Sequence, residues 1–279
     1  MRYFVGALRL IGIGVLIAVI LGILFFVFPF SKQASRGRWV KRLSRSLMSV
    51  FGVRVSVKGA VPEAEVAETG VNTKALGYMV CANHISFVDI FVLNIALPCR
   101  FVAKKEIASW PVFGYISRAV GTIFIDRSRR RAVLEIADAM SGVLKEGGNV
   151  LFFPEGTTGG GRTLLPFHAN LFEAAVRSGA RVLPITLRYT MRGETTELVS
   201  YAGEISLLTV LKRIIFTPQL GVEVSILDPI ASLGCSRHQL CAETSSRMSA
   251  ALGVPDATAE REEARRQRLS VVNQKSEAT

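Results

Sequence analysis

From residue 53 to residue 252, short apolar runs alternate with longer stretches of helical periodicity, and no other feature constrains the fold as strongly. Runs at 53–58, 78–82, 100–103, 122–125, 149–153, 182–188 and 222–227 predict strands, the sixth interrupted by Pro184. Stretches at 87–97, 112–119, 130–146, 170–178, 206–214 and 236–252 predict helices. Strands joined through helices pair in parallel, and a parallel sheet needs cover on both faces. The expected fold is α/β, with a mostly parallel central sheet and helices on both faces. Reactive groups in such a sheet gather beyond the carboxyl ends of its strands. His84, Lys104, Arg127 and Glu155 all fall there. Residues 59–76 read as a loop, and 254–279 as a polar, partly disordered tail. No internal repeat is evident.

Ahead of this pattern, Leu10 to Phe30 contains no polar or charged side chain. Up to Phe28 it would span about 28 Å as a helix, close to the ~30 Å hydrocarbon core of a bilayer. No Ala-x-Ala-like site follows, so the expectation is a retained membrane anchor over 1–35 rather than a cleaved leader. Either a full span or a re-entrant hairpin in one leaflet fits. Gly14, Ala18 and Gly22 recur every four residues. They are either a helix-packing face or ordinary membrane-helix composition. Lys32, Arg36, Arg38, Lys41, Arg42 and Arg45 follow the run, against only Arg2 and Arg9 before it. That asymmetry puts the C-terminal side in the cytoplasm, for a bacterial protein at the inner membrane. Residues 36–52 read as a basic amphipathic helix. Trp39, Val40, Leu43, Leu47, Val50 and Phe51 share one face, with Lys41, Arg42 and Arg45 opposite. The expectation is a helix lying in the headgroup plane, although such a face could also cover the domain.

The net charge of +12 is unevenly placed. Residues 1–62 hold ten Lys and Arg with no Asp or Glu, whereas the rest is nearly balanced. A nucleic-acid binder would carry its excess on the folded domain. Here it flanks the apolar run, so the expected partner is an anionic lipid surface and not nucleic acid. Cys81, Cys99, Cys235 and Cys241 form no C-x-x-C and no metal-ligand spacing. Cys81 and Cys99 sit among apolar residues and read as buried thiols. The expected division is a membrane anchor at 1–35, the basic helix at 36–52, a catalytic domain at 53–253 and a tail at 254–279.

Asn83-His84-Ile85-Ser86-Phe87-Val88-Asp89 leaves the second strand-like run. A histidine with a carboxylate five residues on can act as a general base, one ring nitrogen taking a proton while the carboxylate holds the other N–H. Residues five apart on one helix point about 140° away from each other. The two can meet only if His84 lies in the turn and Asp89 in the first helical turn. Ser86-x-x-Asp89 is itself a capping box, which would start the helix at Ser86 and leave Asp89 only a capping role. Of the other histidines, His238 lies on a polar helix face, and His168 follows Pro166-Phe167 in a loop.

Further blocks at strand ends are Gly121-Thr-Ile-Phe-Ile-Asp126-Arg127, Val150-Leu-Phe-Phe-Pro154-Glu155-Gly156-Thr157-Thr158 and Val182-Leu183-Pro184-Ile185. With His84-x4-Asp89 before them, their order over residues 38–230 resembles the glycerolipid acyltransferases, in particular lysophosphatidic acid (1-acyl-sn-glycerol-3-phosphate) acyltransferases. The resemblance implies an O-acyltransferase of phospholipid biosynthesis. Acyl-CoA or acyl carrier protein would donate the acyl chain to the sn-2 hydroxyl of lysophosphatidic acid, giving phosphatidic acid. It implies His84 and Asp89 as the catalytic pair, Lys104 and Arg127 on the anionic headgroup, and Glu155 on the acceptor's hydroxyls. Gly156 and Thr157 would bind substrate beside it, and amides of 156–158 could donate to the oxyanion. No resident cofactor or metal is expected. No Gly-x-Ser-x-Gly elbow occurs, which favours direct transfer over an acyl-enzyme. In many members an arginine follows Glu-Gly-Thr; here Thr158 stands there, with Arg162 after three glycines and His168 where a basic residue is common. Acyltransferases of other lyso-lipids, such as lyso-ornithine lipid, share this feature. An inactive membrane-anchored lipid-binding protein and a thioester hydrolase are the remaining alternatives.

Overall fold

The structure, a computed structural model, describes residues 2–63, 75–126, 132–203, 205–265 and 267. The strands are β1 (Val53–Lys58), β2 (Met79–Ala82), β3 (Arg100–Lys104), β4 (Ile123–Ile125), β5 (Val150–Phe152), β6 (Val182–Met191), β7 (Glu194–Thr195) and β8 (Leu220–Ile226). The helices are α1 (Arg2–Phe26), α2 (Gln33–Phe51), α3 (Asp89–Ala96), α4 (Phe113–Ala119), α5 (Ala132–Lys145), α6 (Glu173–Ser178), α7 (Leu207–Phe216) and α8 (Arg237–Leu252). They build an 8-stranded sheet of order β1-β8-β6-β2-β5-β3-β4, with β7 turned back onto β6. The run β6-β2-β5-β3-β4 is parallel throughout, and β8, antiparallel to β6, carries β1 parallel to itself. Pro184 does not interrupt β6. Pairing with β8 begins only at Ile185, so the missing N–H of Pro184 is not needed there, while its carbonyl accepts Leu227 N–H at 3.0 Å.

Two cores form because strand residues alternate between faces. Val80 and Ala82 of β2 pack with Leu183, Ile185 and Leu187 of β6 under α2, α3 and α7. Met79 and Cys81 face the other way, against α5, α6 and α8. Each fully buried large apolar side chain contributes roughly 1.5–3 kcal/mol to holding these layers. Cys81, Cys99 and Cys241 are buried free thiols.

Three N-terminal and C-terminal expectations change. The apolar face of α2 does not lie on a membrane: Leu47, Met48 and Phe51 are buried in the first core, and Trp39, Val40 and Leu43 pack on Ile20, Leu24 and Phe28. Helical periodicity shows that a face is apolar and not what covers it. The helix α1 runs back along α2, α4 and α7. Arg9 of α1 donates to Ile215 O at 2.6 Å. Its close approaches are at Gly6, where a Cβ would meet the Phe216 ring at 2.0 Å, and Gly12, where it would meet Val50 at 3.1 Å; Gly14 and Gly22 approach nothing. The outer face of α1, including Phe4, Ile11, Val15, Phe25 and Phe26, stays exposed. Residues 257–265, expected in a tail, are helical and dock on the domain. Thr258 is buried and accepts Phe167 N–H at 2.9 Å, and Arg261 donates to Phe167 O.

Where β6 parts from β2 toward β8, Asn83 bridges the opening. Its amide donates to Leu187 O at 3.0 Å and accepts Leu187 N–H at 2.7 Å, in a site it fills at 3% exposure. Asn83→Leu would leave both Leu187 groups buried and unpaired, at ~1–3 kcal/mol each. The expected loss in urea unfolding is on the order of 3 kcal/mol, and near-native stability would contradict this bridging role.

Candidate active site

The pair at the end of β2 meets as the spacing requires. His84 lies in the turn and Asp89 opens α3, with His84 Nδ1 2.8 Å from Asp89 Oδ2. The helix starts three residues later than the capping box suggested. Asp89 Oδ2 does reach back to accept Ser86 N–H at 2.9 Å, but the buried Ser86 hydroxyl has no hydrogen-bond partner among the described residues. Asp89 is wholly buried and also accepts Ile85 N–H at 2.7 Å and Tyr189 O–H at 2.7 Å. A carboxylate only accepts, so the Nδ1 hydrogen belongs on the Asp89 side, and Nε2 is left as an acceptor for a substrate. The imidazole is 20% exposed and stacks on Phe153, with centroids 3.8 Å apart and planes 9° from parallel. A ring packed this way has one orientation.

Glu155, beyond β5, is placed differently from the expectation. Its carboxylate points inward at 4% exposure, accepting His84 N–H at 2.7 Å on one oxygen and Leu165 N–H at 2.9 Å on the other. Both oxygens are engaged by backbone, so the side chain ties the histidine's turn to the loop after β5. Burial pushes this carboxyl up to about 7, against the two backbone hydrogen bonds and helped by the nearby Asp89 charge. Gly156, at φ 72°, turns the chain after Glu155, and its N–H donates to Phe153 O at 3.1 Å. That amide is held by the turn rather than offered to an oxyanion. Thr157 is exposed beside it.

Lys104 ends β3, exposed. Arg127 lies outside the described residues; Asp126, just before it, follows β4 and pairs with Lys105 at 3.4 Å. In the order β2-β5-β3-β4, His84, Glu155, Lys104 and Asp126 thus follow four adjacent parallel strand ends along one rim. Thr158 donates its hydroxyl to Tyr201 O, and Arg162 forms an exposed ion pair with Glu197 at 2.7 Å. His168 is exposed, its N–H on Pro154 O at 2.9 Å.

Sequence reasoning missed three contributors. Tyr189 was legible in principle, since a tyrosine inside an apolar strand needs a partner for its hydroxyl. Phe153 and the segment 198–201 carry no local signal. The latter lies over the site, with Tyr201 N–H on Ile85 O and the Ser200 hydroxyl on Gly159 O, both at 2.9 Å. Against the imidazole opens an apolar cavity of about 270 Å³. Phe87, Phe91, Phe101 and Trp110 line it, with Ile20, Leu24 and Leu43 of the helical hairpin. The arrangement suits a general base working on a hydroxyl beside an apolar chain. Among the described residues no cluster of His, Cys, Asp and Glu is placed to hold a metal ion.

Residues 53–188 match the family model described as Acyltransferase. The chain is 39% identical over 194 residues to a 1-acyl-sn-glycerol-3-phosphate acyltransferase of Neisseria meningitidis, covering 69% of this chain and 72% of that one. It is 31% identical over 226 residues to a lyso-ornithine lipid O-acyltransferase of Pseudomonas aeruginosa, covering 81% of each. A crystal structure of the 1-acyl-sn-glycerophosphate acyltransferase of Thermotoga maritima shares the fold, with a TM-score of 0.66 at 21% identity over 91% of this chain and 97% of that one.

The position of Glu155 gives stability a pH dependence. Its carboxyl titrates higher in the fold (about 7) than at its ordinary value of 4.5. Its contribution is therefore complete below about pH 4.5 and lost as pH rises through 7, about 3 kcal/mol in all. The stability of the native protein minus that of Glu155→Gln should fall by this amount between pH 4.5 and 8 in urea titrations. A difference that stays constant would contradict it.

Proposed function

The chain belongs to the acyltransferase family and is an enzyme of the 1-acylglycerol-3-phosphate O-acyltransferase type; on that premise we propose that it esterifies the sn-2 hydroxyl of lysophosphatidic acid at a membrane surface, giving phosphatidic acid. The observation that carries the reading is a buried carboxylate holding Nδ1 of His84 while the ring lines an apolar cavity. The acyl chain of the donor, acyl-CoA or acyl carrier protein, lies in that cavity with its thioester at His84. Nε2 takes the proton of the acceptor hydroxyl as its oxygen attacks the thioester carbonyl. The tetrahedral intermediate collapses, the C–S bond breaks, and the thiolate leaves with the proton returned from the imidazolium. Asp89 stabilises that imidazolium and fixes its orientation.

Lys104 on the rim, with Arg127 next in sequence after Asp126, holds the acceptor's phosphate; an arginine is suited to it by its planar fork. Glu155 acts through the turn it braces, and Thr157 faces the acceptor from the exposed side of its loop. The exposed face of α1 embeds in one leaflet, because the opposite face packs on α2, α4 and α7. The catalytic domain then sits on the cytoplasmic side of a bacterial inner membrane, following the basic residues after the apolar run. A lyso-ornithine lipid acceptor is the second reading. Arg162, the cation nearest in sequence to the place Thr158 takes, pairs with Glu197 in an exposed contact, so a phosphate would share it with that carboxylate.

The test is transfer of labelled acyl groups to a panel of lyso-lipids by purified membranes, with His84→Ala and Asp89→Asn alongside. His84→Ala should lose ~10²–10⁴-fold while folding and pelleting normally, with Asp89→Asn less complete. Lysophosphatidic acid should be the preferred acceptor. Normal turnover by His84→Ala overturns the mechanism; activity only on lyso-ornithine lipid overturns the acceptor alone.

A further inference from the structure

A second cavity, of about 390 Å³, opens at the other end of the sheet. It lies where β3 and β5 begin, beside the start of α2 and the end of α4. Arg36, Arg100 and Arg118 line it, and among the described residues no Asp or Glu does. Arg36 turns Nε and Nη2 onto Phe28 O at 3.1 and 2.8 Å, and Arg118 donates to Ala108 O, so both are held in place by backbone. The Arg100 backbone N–H donates to Asn149 O at 2.9 Å, while its guanidinium makes no hydrogen bond or ion pair among the described residues and its stem lies over Gly121. Gln33, the first residue of α2, also faces the cavity. That helix has no side-chain cap and no acidic residue in its first turn, so its amino end adds unsatisfied N–H groups and positive partial charge.

Three arginines lining one cavity, with no carboxylate among the described residues that line it, fit a phosphate ester through charge-assisted hydrogen bonds. The source of that phosphate follows from position. Phe28 lines the cavity, and in the same hairpin turn Phe26 and Phe30 are 71% and 89% exposed. Rings so exposed beside a cationic pocket match the boundary between acyl chains and headgroups. The reaction site is elsewhere: Arg100 opens β3 and Lys104 closes it, about 13 Å along the strand. We propose that this pocket binds the phosphate of a membrane phospholipid headgroup, a lipid that is neither acceptor nor product in the acyl transfer but fixes how the hairpin sits on the bilayer.

The experiment uses the full chain in neutral detergent with dihexanoyl phosphatidylglycerol below its micellar concentration, where no charged surface contributes. Binding is read by calorimetry, with inorganic phosphate as a separate arm. The unsubstituted protein should bind the lipid saturably. Arg100→Gln should weaken this by about tenfold or more, the scale of losing a hydrogen bond to a charged group. Arg45→Gln, an equal loss of charge on the outer face of α2, should change it less than about twofold. Gln33→Glu keeps every arginine and suits a helix start, yet should weaken binding as strongly, because its carboxylate faces the pocket. Acyl transfer in detergent should be unchanged in Arg100→Gln. Inorganic phosphate binding as tightly as the lipid, with the same dependence on Arg100, would overturn the lipid assignment. Equal lipid affinity in Arg100→Gln and the unsubstituted protein would overturn the pocket itself.

Discussion

A carboxylate removed entirely from water is the constraint around which the rest of this domain is arranged. Asp89 has no exposed surface, and an isolated charge there would be prohibitively costly. Hydrogen bonds from His84 Nδ1, Ile85 N, Ser86 N and Tyr189 O–H, with the amino end of α3, offset the cost. The donors come from the turn after β2 and from β6. The charge is therefore tolerated only once β2, α3 and β6 are assembled, and assembly in turn fixes the imidazole. Glu155 repeats the device from β5, holding the same turn from the other side through His84 N–H.

How far the sequence could be read follows from which interactions are local. The strand ends that hold His84, Lys104 and Glu155 were legible because apolar runs stop there. Helical geometry set the condition under which His84 and Asp89 could meet, and the capping alternative for Asp89 stayed open until the 2.8 Å contact was seen. The role of Ser86 was misread because a capping box records hydrogen-bonding capacity and not its use: the Asp89 half forms, and the serine half does not. The resemblance put Glu155 on the acceptor's hydroxyls; that its two oxygens accept His84 N–H and Leu165 N–H was not legible, because nothing in Pro-Glu-Gly-Thr says that Leu165 N–H lies within 2.9 Å. Leu47 and Phe51 of α2 were given to the membrane because the sequence carries no record of the sheet that covers them. Gly14 and Gly22 had the spacing of a packing face, yet the close contacts fall at Gly6 and Gly12, where α7 and α2 happen to cross. The buried Thr258 lay in a stretch whose polarity marked it as tail.

The hairpin of α1 and α2 joins the two ends of the molecule. Phe28 and Val40 line both the apolar cavity at His84 and the arginine-lined pocket at the start of β3. On our reading, the same element that shapes the space for an acyl chain also meets the bilayer and a phospholipid headgroup. Substrate entry and membrane contact then share one face, which lets an apolar chain reach His84 without crossing water.

The central claim is that Asp89 holds His84 as the Nδ1–H tautomer, with Nε2 free to accept a proton. Nitrogen NMR of the protein labelled at histidine, in detergent, reads this directly. The expected spectrum shows a slowly exchanging, strongly deshielded Nδ1–H for His84 and an unprotonated Nε2, the former lost in Asp89→Asn. A His84 that carries its proton on Nε2, or whose Nδ1–H signal is unchanged by Asp89→Asn, would contradict the account.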